Sequence, residues 1–327
     1  MPRPLPRFLT RNSRSSRTPW PERRKPCRSP ALVPLLVTLA AILLGTATSP
    51  ALADPTVSIV DDLGREVVLD GPARRIAVLY PAFSEILAAM GLEDHIAART
   101  ASDSLAEHAP AVGTHMRPNL ELIVAAQPDL AIHYGGRSQA LATVDQLQNH
   151  GIPTAVFHPA TIEALYSVTA RLGTLTGRES DAQALIAGMQ SDIQAVTLAV
   201  GNIPQNEKPT VFFEVRSPEL LAAGQESIVT DVIRLAGGIN CVTAPERLVH
   251  LGEEALVGLD PEVYIIQVGP MNPNPAPLAE RPLYAALSAT QSGRALLVDE
   301  AMFSRPGPRL ARAVAELAAF LHPNCFP

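Results

Sequence analysis

The sequence predicts an α/β protein built as two Rossmann-like lobes with parallel sheets, joined by a single long backbone helix. Three observations predict this. Short apolar runs alternate with helix-length segments, the pattern of strand–helix–strand units in a parallel sheet. The alternation is interrupted once, by residues 161–200, where apolar residues recur at three- and four-residue spacing. A short pattern also occurs twice. Glu121 is followed seven residues later by Pro128, then Asp129 and an apolar run; Glu254 is followed seven residues later by Pro261, then Glu262 and an apolar run.

Each element has a local reason. RIAVLY (75–80) reads as a buried strand, and SEILAAMG (84–91) as a helix with Ser84 as N-cap and Gly91 as its stop. Next come HIAART as strand, PNLELIVAAQ as a helix capped by Asn119, DLAIH as strand, a helix over 140–149, and TAVFH as strand. Gly177 divides the long helical stretch, and its second half would span roughly 30 Å at 1.5 Å per residue. After a polar loop the alternation resumes: TVFFEV (strand), SIVTDVIRLAG (helix), EEALVGL (helix), EVYIIQ (strand), LYAAL (helix), ALLVD (strand) and a terminal helix over 308–321. Both lobes begin with strand, proline-containing turn, helix and glycine, which points to duplication. The domain boundaries are then 1–53, 54–177, 178–203 and 204–327.

The N-terminus predicts export. Residues 31–47 form one apolar run, preceded by a basic Pro/Ser-rich segment and followed by Ala51-Leu52-Ala53, a small-x-small cleavage site. The run is just short of a comfortable membrane span. Arg23-Arg24 is a weak twin-arginine signal, and Cys27 precedes the apolar run, so it is no lipoprotein anchor. A cleaved signal peptide at 1–53 places the remainder in the periplasm as a monomer. The leader holds nine of the 26 Lys/Arg and one of the 32 acids, leaving 17 basic and 31 acidic residues, a net charge of −14. Such a surface repels nucleic acid. The leader also takes the single tryptophan, Trp20. Cys241 and Cys325 remain; an oxidising compartment permits a disulfide between them, and two free thiols are the alternative. No CxxC or HExxH suggests a structural metal.

Ligands of parallel α/β sheets bind outside the carboxyl ends of the strands. The residues there are Tyr80, His133 and Tyr134, His158, Arg216, and the 302–305 segment with Arg305; the loop before Asn119 adds His115 and Arg117. The set is rich in arginine, histidine and tyrosine. It offers no nucleophile–base pair, no GxSxG and no glycine-rich phosphate loop, which favours binding over catalysis and requires no intrinsic cofactor. A metal-handling enzyme on the same scaffold is the contrasting reading.

The segments DDLGREVVLDGPARRIAVLYPAFSEILAAMG, VGTHMRPNLELIVAAQPDLAI, AAGQESIVTDVIRLAGGIN and FSRPGPRLARAVAELAAFLHP resemble the iron-chelate/vitamin B12 family of periplasmic ABC-transporter binding proteins. The likeness runs from about Thr56 to Pro323. It implies two lobes on one backbone helix with limited hinge motion. It also implies that one surface glutamate per lobe docks onto arginines of a dimeric membrane permease. The matching positions are Glu121 and Glu254, with Glu253 beside the second.

The resemblance leaves several ligands: ferric siderophore, corrinoid, haem or bare metal. Family corrinoid binders stack the macrocycle on aromatic side chains, where this chain carries His115 and His133. Haem binders often place tyrosine after the VG of the same loop, where Thr114 and then His115 stand here. Siderophore binders commonly carry an arginine before PNLE, and Arg117 sits there. Guanidinium groups suit carboxylate or catecholate oxygens. The sequence therefore favours a ferric siderophore or similar anionic chelate. Direct metal binding through His115, His133 and His158 is the rival.

Overall fold

The computed structural model describes residues 56–136 and 139–326. The predicted leader, with its apolar run, Trp20 and Cys27, lies outside the described residues.

The strands of the first half are β1 (Val57–Val60), β2 (Glu66–Leu69), β3 (Ile76–Val78), β4 (Ile96–Arg99), β5 (Gly113–Thr114), β6 (Arg117–Pro118), β7 (Leu130–Tyr134) and β8 (Thr154–Phe157). The helices are α1 (Pro81–Ala89), α2 (Leu120–Ala125), α3 (Gln139–Asn149) and α4 (Ile162–Thr176). β4, β3, β7 and β8 form one parallel sheet in that order. Their residues are buried nearly throughout, as expected of strands covered on both faces. The helix after Tyr80 starts earlier than the sequence predicts. Pro81 occupies its first turn, where a missing N–H costs nothing. Ser84 is therefore no cap; it is buried within α1, and its hydroxyl donates to Asp103. Asn119 caps α2 as predicted, accepting from the Leu122 N–H at 3.2 Å. The antiparallel hairpin of β1 and β2 is an addition to the predicted elements.

α4 ends at Gly177, whose φ of +65° turns the chain into α5 (Glu179–Val200). Ala182, Ile186, Met189, Ile193, Val196 and Val200 make the buried stripe of α5, at spacings of three and four. All of this stripe except Ile186 belongs to the largest apolar cluster, which also takes in Ile76 and Phe83 of the first half and Phe213 and Leu317 of the second. Each fully buried side chain of this size contributes roughly 1.5–3 kcal/mol of transfer free energy.

The second half contains β9 (Thr210–Arg216), β10 (Leu221–Ala223), α6 (Ile228–Leu235), β11 (Ile239–Asn240), β12 (Leu248–His250), α7 (Glu253–Leu259), β13 (Val263–Val268), α8 (Ser288–Gln291), β14 (Ala295–Asp299), α9 (Glu300–Phe303) and α10 (Leu310–Leu321). Its sheet has the order β12-β10-β9-β13-β14, with β11 beside β9. β9, β11, β13 and β14 are parallel, but β10 is antiparallel to both of its neighbours, β9 and β12. The second sheet is thus mixed, a correction to the parallel sheet predicted. The LYAAL segment forms only a short 3-10 turn over Tyr284–Ala286, because Leu283 takes a φ of +66°. Cys241 and Cys325 are both free, which sets aside the disulfide. Burial pushes the Cys241 thiol up to about 12. No described helix is long and apolar enough to cross a membrane.

Candidate binding cleft

A cleft of about 350 Å³ opens where the carboxyl ends of both sheets meet. The first half contributes Tyr80, Ser102, Tyr134 and the Thr114–Met116 turn; the second contributes Arg247, Pro270, Met271, Glu300 and Arg305. This volume is at the lower end for small-molecule sites.

Backbone geometry explains the aromatic wall. Tyr80 follows β3 as the N-cap residue of α1, and Tyr134 ends the neighbouring strand β7. Parallel pairing of β3 with β7 brings the two rings side by side, 4.6 Å apart and 21° from coplanar. His115 sits in the tight turn between β5 and β6 and meets Tyr80 edge-on at 5.6 Å. His158, just past β8, meets Tyr134 edge-on at 5.4 Å. Burial, and Tyr134 beside it, push the Tyr80 phenol up, so it is neutral at neutral pH.

The opposite wall is cationic. Arg247 and Arg305 both line the cleft, and neither makes an ion pair among the described residues. Glu300 is on the same wall, but its carboxylate is engaged by the Met271 N–H at 2.9 Å. Arg247 extends past this cleft to a second chamber of about 250 Å³ that also holds His158 and Glu226. Burial and the Arg247 charge both hold the His158 imidazole below its usual range.

Of the predicted ligand residues, Tyr80, His115, Tyr134 and Arg305 come together here. Three do not. Arg117 is exposed, with its backbone N–H bonded to Thr114 Oγ1, and does not line the cleft. Arg216 pairs with Glu219 at 2.9 Å instead of facing the cleft. His133 is 1% exposed, alternating onto the face of β7 that carries Ala131, and its Nδ1 lies 3.0 Å from the Tyr134 carbonyl oxygen. Strand alternation sends adjacent residues to opposite faces, so Tyr134 and His133 cannot both reach the cleft. The proposed histidine trio therefore does not converge, and no metal-holding group of three His, Cys, Asp or Glu occurs among the described residues. Arg247 went unread because it precedes β12, a three-residue strand with too few residues to show a period. Glu121 and Glu254 are exposed in the first turns of α2 and α7.

Two α/β halves closing on a polar–aromatic cleft have the architecture of a solute-binding protein. The sequence profile of the periplasmic binding protein family matches residues 76–301, and the chain belongs to that family. It is 26% identical, over 83% of its length and 87% of the relative's, to an uncharacterized ABC transporter substrate-binding lipoprotein, YvrC, of Bacillus subtilis. It is 25% identical to a cobalamin-binding protein of Halobacterium salinarum, over 78% of this chain and 71% of that one. Among solved structures, a periplasmic heme-binding protein from Pseudomonas aeruginosa superposes with a TM-score of 0.68 at 23% identity, over 77% of this chain and 93% of that one. That likeness shows the fold.

Proposed function

We propose that this chain is the exported capture component of an ABC importer, working as a monomer in the periplasm. It holds a compact anionic metal chelate, of the ferric siderophore class, and hands it to a permease dimer in the inner membrane. One observation carries the ligand reading: Arg247 and Arg305, without ion-pair partners among the described residues, face a stacked tyrosine pair across the cleft. Guanidinium groups left without a carboxylate partner invite the carboxylate or catecholate oxygens of a ligand, while the rings cover its apolar face. The protein binds without turnover and supplies no intrinsic cofactor.

A corrinoid is the second reading. It is favoured by the Tyr80–Tyr134 ring stack and by the relative named as cobalamin-binding. Haem fits the same rings and His115 less specifically. The delivery step rests on Glu121 and Glu254, one exposed acid on each half, as two similar charges for a twofold partner.

A thermal-shift panel separates these readings: ferric hydroxamates, ferric catecholates, cyanocobalamin, haemin, and Zn, Ni and Co salts. A ligand at a hundred times its Kd adds about 2.7 kcal/mol, which is several degrees of melting temperature. A shift with ferric chelates alone supports the leading reading. A shift with cyanocobalamin alone replaces it with the second. A bare-metal shift, or measurable turnover of any chelate, overturns both.

A further inference from the structure

One ion pair joins the two walls of the cleft from behind. Glu85 lies on α1, five residues after Tyr80. Arg309 immediately precedes α10, four residues after Arg305. The Arg309 guanidinium grips the Glu85 carboxylate with two bonds, Nε to Oε2 at 2.9 Å and Nη2 to Oε1 at 2.6 Å. Asp299 adds a looser contact at 3.6 Å. The paired residues are 224 positions apart and belong to opposite halves of the molecule.

Both connections from this pair to the cleft are stiff. On one side, α1 is started by Pro81 and anchored by buried Phe83, Ile86 and Leu87, so Tyr80 moves with Glu85. On the other, the Ser304–Arg309 segment contains Pro306, Gly307 and Pro308. Its near end is held by the Ser304 hydroxyl, which donates to Gln267 Oε1, and its far end by Arg309 itself. Pro306 and Gly307 are buried, and a Cβ on Gly307 would lie 3.0 Å from Glu85 Oε2. A larger residue here would crowd the Glu85 carboxylate, so glycine lets the segment lie close against the acid. Arg305 lines the cleft on one side and, on the other, a cavity of about 360 Å³ shared with Glu85, Asp103 and Arg309.

We infer that Glu85 and Arg309 form a strut that sets the width of the cleft, positioning Tyr80 and Arg305 at a fixed separation. The inference rests on reading this cleft as the ligand site. The bidentate geometry fixes both distance and angle. With Glu85 12% exposed and Arg309 43% exposed, solvent screens the pair in part, so its main effect is on geometry rather than overall stability.

The test uses the purified protein with spin labels at Cys325 and at an Ala125→Cys substitution, in a Cys241→Ala background. Glu85→Gln, Arg309→Gln and the double variant are compared with Arg312→Gln, which removes a solvent-exposed pair on α10 instead. The expected result is a longer and broader interlobe distance in each single variant, no further change in the double, and no change in Arg312→Gln. An unchanged distance overturns the strut whether or not any ligand is known. Dissociation is then followed for ferric catecholate and cyanocobalamin. The probe that the parent protein holds should leave about fivefold faster from Glu85→Gln. A wider cleft with an unchanged off-rate overturns the positioning role. A parent protein that holds neither probe removes the catecholate and corrinoid readings alone, because the distance measurement still decides the strut.

Discussion

Asp129 and Glu262 occupy equivalent places in the two halves and make equivalent bonds. Asp129 follows Pro128, and its carboxylate accepts the backbone N–H groups of Arg74 at 2.7 Å and Arg75 at 3.0 Å, where the chain enters β3. Glu262 follows Pro261 and accepts the N–H of Thr210 at 2.8 Å, where the chain enters β9. β7 pairs with β3, and β13 with β9, so each acid opens one strand and pins the start of its parallel neighbour. The equivalence continues upstream. Gln127 and Asp260, each just before the proline, both take positive φ, at 48° and 38°. Ile123 and Leu256, five residues before each proline, are both fully buried.

Removing either acid strands backbone donors that no ladder satisfies. Asp129→Ala and Glu262→Ala should each cost about 1 kcal/mol, and because they share no partner the losses should add. Urea denaturation of the single and double variants checks this. A double variant no weaker than either single would show that the two anchors are not independent.

The equivalence also shows why much of the fold was legible. The acid, the proline and the apolar run sit in fixed order because each performs one step of a helix-to-strand connection. β7, β13 and α5 are long enough to display their period. β10 and β12 have three residues each and are separated from their neighbours by polar loops, so neither shows a period. Their absence from the sequence reading hid Arg247. His133 and Tyr134 were legible as a strand end, but which of them faces the cleft depends on strand phase. Arg216 is legible by its place at a strand end and Arg117 by its loop and the resemblance, but neither place specifies which way a side chain emerges. Ser84 has the residue type of a cap, but Pro81, three residues earlier, already starts the helix.

A buried charge network holds the loop that carries Pro270 and Met271. Glu214 is fully buried and accepts from Tyr264 Oη at 2.7 Å, Asn272 Nδ2 at 3.1 Å and both terminal nitrogens of Arg281. Arg281 also donates to the Ala276 carbonyl at 2.9 Å. Arg281→Met leaves the carboxylate without its cation and should cost about 3–5 kcal/mol in chemical denaturation. Adding Glu214→Leu removes the stranded charge and should recover part of that loss. No recovery would mean that the network acts through shape rather than charge.

His133 predicts a pH dependence. Burial holds its imidazole below the usual 6.5, opposed in part by the hydrogen bond from Nδ1–H to the Tyr134 carbonyl. Between the depressed folded value and 6.5 the unfolded chain binds more protons than the folded one. The contribution to stability is therefore complete above pH 6.5 and is lost as pH falls below it. His133→Leu should flatten this segment of the stability–pH curve, which chemical denaturation at a series of pH values between 7 and 5 checks. An unchanged slope would assign it to other groups, with His158 next because it is shifted in the same direction.

Arg247→Gln and Arg305→Gln test the cationic wall. Each should weaken a ferric catecholate about tenfold, since a charge-assisted bond is lost. Cyanocobalamin binding should change far less. Equal losses for both probes in isothermal titration would mean that these arginines shape the cleft rather than pair with the ligand.

The register of the duplication decides which acid on α7 corresponds to Glu121. Counting back from the prolines, Glu121 matches Glu254, and the neighbouring Glu253 matches Leu120, which is half-buried. Glu254 is exposed in the first turn of its helix as Glu121 is in its own. Leu122 beside Glu121 and Val257 one turn beyond Glu254 are also exposed, which gives each charge an apolar neighbour. Each acid lies at a helix N-terminus, so its loss should slightly weaken the helix, by a few tenths of a kcal/mol. Ligand affinity should be untouched, because neither side chain lines the cleft. The Glu121→Ala/Glu254→Ala double variant should therefore bind its chelate normally and fail to support uptake by cells carrying the cognate permease, while Glu253→Ala behaves as the parent. Normal uptake by the double variant would remove the docking role from both glutamates, and failed uptake by Glu253→Ala would shift the contact by one residue on α7.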